Sequence, residues 1–180
     1  MAAGRGLWRV AAAGVLARTA PSWRAPAFAA LAAVIIGAGA WEASARNVFG
    51  LRGIESRYET VARFAGRVLP PNAVFFAYQE SGALHYYTDR PIVRFDVLTS
   101  GWFTHALDDV RERGLHPYFI VEDHEEVVFK ARFQDVSPLG RLDWQPVAEL
   151  DGPVRVRVFD PEDRARIERG EGVATYRLDP

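Results

Sequence analysis

The sequence predicts an α/β fold: a Rossmann-like three-layer sandwich with a mainly parallel sheet and an antiparallel edge, preceded by one N-terminal hydrophobic helix. Three observations predict it. Residues 55–133 alternate apolar residues at helical spacing with short continuous apolar runs, as successive strand–helix units do. Beyond residue 140 two strand-like segments flank Asp151-Gly152, a hairpin signal. Residues 25–41 form an uncharged run of 17 residues with no polar face.

Composition fits one domain and excludes several chemistries. The 180 residues are 49% apolar and 25% charged, enough for a packed core in a body of ordinary domain size. With no cysteine, disulfides, thiolate metal sites, iron–sulfur clusters and cysteine nucleophiles are excluded. The net charge of −1 gives no footprint for a nucleic-acid partner. That charge is unevenly spread. Residues 1–45 carry Arg5, Arg9, Arg18 and Arg24 against Glu42 alone, whereas the rest of the chain is acidic. The expected organisation is a basic, Ala-rich leader (1–24), a hydrophobic membrane helix or signal (25–45) and a soluble α/β domain (46–180).

The apolar run would reach about 25 Å as a helix, the short end for a membrane span. Eight of its 17 residues are Ala; Phe28, Leu31, Val34, Ile35, Ile36 and Trp41 supply most of the lipophilicity. Trp23 and Trp41 bracket it as interfacial aromatics, and the preceding arginines place the N-terminus in the cytoplasm and the body outside. Two alternatives stand beside a membrane anchor. One is a signal peptide, for which Ala43-Ser44-Ala45 fits a cleavage site; the other is a buried helix of a soluble protein, against which the absence of any polar face argues. Upstream, Trp8 and the apolar residues 10–17 suit an interfacial segment too short to span.

In the body, residues 55–69 place Tyr58, Val61, Ala62, Ala65, Val68 and Leu69 on one helical face, with Glu59 and Arg63 paired on the other. Pro70-Pro71 ends this helix, and residues 73–78 read as a strand buried on both faces. Ser81-Gly82 opens a short helix, and Asp89-Arg90-Pro91 turns into a strand over 92–95. Residues 100–113 make a helix with Trp102, Phe103, Ala106, Leu107 and Val110 inward, capped by Gly114. Residues 118–121 are a third buried strand. Residues 123–133 form a helix with Asp123, Glu125 and Glu126 at its dipole-favoured start. Strands over 147–150 and 154–159 complete the pattern.

In such sheets ligands sit beyond the C-terminal strand ends. The candidate ligand-binding residues are Ser81 and Gly82, whose helix start offers backbone N–H groups to a phosphate, with His85, Arg90 and Arg94 adding positive charge. The structural alternative makes Ser81 an N-cap and Gly82 a tight-packing position. The acidic run 122–126 reads as a capped, solvated helix start before it reads as a cation site. The four histidines lack zinc-site spacing, and dinucleotide, Walker A and nucleophile-elbow motifs are absent. No catalytic residue, metal or cofactor is expected.

Several segments resemble a known family. They are residues 58–62 and 69–74, the run Gln79-Glu80-Ser81-Gly82-Ala83-Leu84-His85-Tyr86-Tyr87-Thr88-Asp89-Arg90, then Arg94-Phe95-Asp96, 118–123, Glu125-Glu126 and 129–133. Their order resembles the C-terminal extracytoplasmic region of bacterial polyprenyl-phosphate-sugar-dependent, GT-C type glycosyltransferases, similar to protein O-mannosyltransferases and aminoarabinose transferase. The resemblance covers residues 40–160, and S-G-x-L-x-Y-Y-x-x-R is its most specific part. It implies a soluble tail behind a membrane helix, and as partners the membrane, membrane-embedded glycosyltransferase subunits or a polyprenyl-phosphate-linked sugar. The family's catalytic acid lies on a loop outside this sequence, and Glu42 is not assigned that role. The expected function is an anchored extracytoplasmic accessory or interaction domain, non-catalytic alone. The alternatives are a free-standing phosphate- or sugar-binding domain and a fragment of an active glycosyltransferase.

Overall fold

The computed structural model describes residues 23–46, 48 and 51–179, with side chains of the second helix described from residue 55 onward. The basic leader up to residue 22, with Trp8 and the apolar stretch 10–17, lies outside the described residues. The chain divides into two compact units, 1–49 and 50–180.

The first unit contains helix α1, Arg24–Ala45. Its 22 residues reach about 33 Å, longer than the apolar run alone implies. Ala-rich composition carries the helix through Gly37 and Gly39. It has no polar side-chain cap, and none of its residues is buried. Its mean hydropathy reaches 1.6 over 18 residues, so it is long and apolar enough to cross a membrane. The buried-helix alternative fails on this exposure. Near its end, Glu42 accepts a 2.6 Å hydrogen bond from Arg46 Nε.

The second unit is built around six strands in the order β2-β1-β3-β5-β4-β6. They are β1 (Ala73–Ala77), β2 (Ile92–Arg94), β3 (His116–Glu122), β4 (Ala148–Leu150), β5 (Val156–Phe159) and β6 (Tyr176–Leu178). The pairs β1–β2, β1–β3 and β4–β6 are parallel; β5 runs antiparallel to both β3 and β4. The reversed strand therefore lies inside the sheet, and β6 forms the outer edge. The helices are α2 (Leu51–Val68), α3 (Ser81–Thr88), α4 (Ser100–Glu112), α5 (Asp123–Phe133) and α6 (Pro161–Glu168), with a 3-10 turn at Pro138–Arg141.

Strand pleating sorts the core into two layers. Phe75, Ala77 and Ile120 face α2 and α3, packing on Val61, Ala62, Ala65 and Leu84. Phe76, Phe119 and Val121 face α4 and α5, among Phe103, Phe129 and Phe133. The Phe103 and Phe133 rings stack with centroids 4.3 Å apart. α4 ends in a Schellman motif: Gly114, at φ 70°, donates to Arg111 O, and Leu115 donates to Val110 O.

Three details depart from the sequence pattern. Trp102 is exposed instead of joining the α4 stripe, and it tilts against His105. Val68 is exposed as well. Beyond β5 the chain adds α6 and β6. Asp160 caps α6 by accepting from Glu162 N–H, and Pro161 takes the first helical position.

Candidate functional site

The chain leaves β1 for β2 through α3 on one face, then returns through α4 on the other face to β3, on β1's opposite side. Between the C-terminal ends of β1 and β3 successive connections diverge, which makes this the switch point where open α/β sheets hold their ligands. Gln79 and Glu80 follow β1; Glu122 ends β3; Asp123, His124 and Glu125 open α5. The N-terminal half of α2 adds Arg57 and Tyr58.

These side chains form one polar cluster. Arg57 Nε donates to Glu122 Oε1 at 2.9 Å, an ion pair with both partners buried. Arg57 Nη2 also donates to the Tyr58 hydroxyl, which lies 3.4 Å from Gln79 Oε1. Gln79 Nε2 sits 3.1 Å from His124 Nε2. Glu125 ties the two strand ends together, accepting from Gln79 N–H at 2.8 Å and from Glu122 N–H at 3.0 Å. The acidic run 122–126 is therefore not a solvated helix start: Glu122, Glu125 and Glu126 are buried, and only Asp123 and His124 are exposed. Glu126 and Asp123 are matched by Arg157, at 2.6 Å each.

Glu80 stands out. Its residue is 0% exposed, and neither carboxyl oxygen has a hydrogen-bond partner. Burial, reinforced by Glu122, pushes its pKa up to about 8, so the acid is mainly neutral at pH 7. Burial likewise raises Glu125, against the two backbone N–H groups it accepts from. Burial lowers Arg57, but the bond and charge of Glu122 outweigh it and leave its pKa raised. An unsatisfied buried acceptor costs about 1–3 kcal/mol, which makes Glu80 a costly residue for the fold.

The residues expected to bind an anion are placed otherwise. Ser81 is the first residue of α3 and Glu80 its cap, with Ser81 N–H donating to Tyr78 O at 3.2 Å. Gly82 is exposed and a Cβ there would meet open space, so it is not a tight-packing position. His85 is exposed. Arg90 turns to the end of α2, donating to the carbonyls of Ala65, Gly66 and Leu69 at 2.6, 3.1 and 3.0 Å. Arg94 makes two hydrogen bonds to Asp96. The two arginines expected to share an anion are thus each engaged with other partners.

No protein-family model, curated protein or solved structure matches this chain. Among the described residues, no three His, Asp or Glu side chains converge as metal ligands. Nor does the cluster pair a nucleophile with a base in hydrogen-bond reach.

A second titratable group lies near the start of β3. His116 Nε2 is 2.9 Å from Asp160 Oδ1, the atom that caps α6, and Trp144 Nε1 donates to Asp160 O at 2.8 Å. The Asp160 hydrogen bond raises the His116 pKa against partial burial. This group docks α6 on the sheet.

Sequence reading missed Arg57 and the burial of Glu80. Arg57 is separated from Glu122 by 65 residues, so no local spacing reports the pair. The Glu122-x-x-Glu125 spacing did carry a signal, since an acid three residues into a helix reaches back to the preceding N–H.

Proposed function

We propose that the chain is a single-pass membrane protein whose α/β body is extracytoplasmic and serves as an accessory or interaction domain of a lipid-linked-sugar glycosyltransferase system, without transfer activity of its own. One observation supports the anchor above all. α1 offers 22 helical residues of high hydropathy, none of them buried, while the body packs its own core on both sheet faces. The leader arginines support an inside N-terminus. The glycosyltransferase setting rests on the sequence resemblance of residues 40–160, S-G-x-L-x-Y-Y-x-x-R above all.

Membrane fractionation with protease access to a C-terminal tag tests the anchor. The full-length chain stays with membranes through alkaline extraction, and protease added from outside removes the tag. A shortened, soluble product makes residues 25–45 a signal peptide; a protected tag reverses the orientation. The functional part predicts that the purified chain transfers no sugar from a polyprenyl-phosphate donor. It also predicts that deletion lowers sugar transfer in membranes, and that only the anchored form restores it. Transfer by the chain alone, or unchanged transfer after deletion, refutes it.

A further inference from the structure

The switch-point cluster holds three buried acceptor atoms without hydrogen bonds: Oε1 and Oε2 of Glu80 and Oε2 of Glu122. His124 Nδ1 stands 3.4 Å from the last of these, on an exposed ring. Glu126 Oε2 differs, since Arg157 Nη1 lies 2.6 Å from it. Buried polar atoms are ordinarily satisfied, and Glu80 is wholly buried at the switch point, where open α/β sheets hold their ligands.

We propose that the switch point at the C-terminal ends of β1 and β3 binds a small ligand through a protonated primary amine seated between Glu80 and Glu122. Once Glu80 gives up its proton, an ammonium group, with three donors and no acceptor, matches the three oxygens in number and polarity. Among the described residues a divalent cation lacks a converging ligand set, and an anion would face carboxylates. The charge balance agrees: Glu55, Glu80, Glu122 and Glu125 surround the site, with the Arg57 guanidinium and the His124 imidazole beside them. Tyr58 completes the ionisable groups. The ligand enters past Gln79 and His124, exposed side chains held at 3.1 Å to each other.

The test uses the full chain in detergent micelles, titrated with methylammonium chloride and followed by amide chemical shifts. Saturable shifts are expected at Gln79, Glu80, Glu122 and His124, with millimolar affinity, as fits a ligand of two heavy atoms. Affinity should fall about tenfold per pH unit below pH 8, because the amine displaces the proton of Glu80. Glu80→Gln keeps the shape and removes the charge; it should weaken binding at least about tenfold. Tetramethylammonium, equal in charge but without N–H donors, should give no saturation. The proposal is overturned by non-saturating methylammonium shifts, by equal binding of the two cations, or by equal affinity in Glu80→Gln. Should that variant lose its native spectrum, the two-cation comparison and the pH series on the wild type still decide.

Discussion

Replacing Glu80 by Gln tests the strangest energetic feature of this fold. A buried acid whose pKa rises on folding holds its proton more tightly in the native chain than in the unfolded one. Its contribution is therefore fully present below the ordinary value of 4.5 and is lost as pH rises toward about 8. At about 1.4 kcal/mol per pH unit, the whole loss is about 5 kcal/mol, and at pH 7 about 3 kcal/mol has gone. That is a large share of the 5–15 kcal/mol typical of a domain. The amide that replaces the carboxyl cannot ionise, so Glu80→Gln should match the wild type near pH 4.5 and exceed it by about 3 kcal/mol at pH 7. Denaturant unfolding of both chains across this range supplies the difference curve, in which groups common to both cancel. Parallel curves, or a variant less stable than wild type at pH 7, would refute the reasoning.

Arg57→Met strands Glu122 without its buried cation and should cost about 3–5 kcal/mol; in a double-mutant cycle, adding Glu122→Gln should recover most of it. Additive losses would show that the pair is not coupled. Gly140→Ala brings a Cβ onto the Phe133 carbonyl and within 2.6 Å of Gln134 N, so it should destabilise by about 1–3 kcal/mol in thermal unfolding. A melting temperature unchanged from wild type would mean the 3-10 turn yields freely. The pKa of His116 is raised by Asp160, so the pair stabilises fully below about pH 6.5 and less as pH climbs past the folded value. The protection of the α6 amides, taken relative to their base-catalysed intrinsic exchange, should accordingly fall between neutral and alkaline pH, and His116→Gln should abolish that fall.

The fold was legible where periodicity is strong. β1 and β3, buried on both faces, read as continuous apolar runs, and α2 and α4 show their inward stripes. α6 was not legible, because its buried residues are Pro161 and Asp163, with Ile167 partly buried against the core, and Asp160-Pro161 gives a start without an apolar stripe. Trp102 misled for the opposite reason: its spacing suits the stripe, but Phe103 and Leu107 already fill the space beneath α4. The candidate site was half legible. Strand topology pointed to the right ends of β1 and β3, yet charge alone marked residues 122–126 as solvated. Burial there depends on Arg57 from α2 and Arg157 from β5, partners that only tertiary packing brings near.

The arginines explain why the polar end of this sheet favours cations over anions. Arg90 binds three carbonyls at the end of α2, and Arg132 Nη1 gathers the carbonyls of Phe95, Asp96 and Leu98 behind β2. Each planar guanidinium thereby satisfies backbone acceptors that a turn leaves open. A phosphate at Ser81-Gly82 would have to draw Arg90 from its carbonyls and Arg94 from Asp96, and it would then meet the carboxyl of Glu80 at the helix cap. An amine has only the proton of Glu80 to displace, since the carboxyl oxygens it needs are already in place. The positive charge that the sequence supplies in abundance therefore works inside the fold, while at the ends of β1 and β3 the acids Glu80, Glu122 and Glu125 outnumber the buried Arg57.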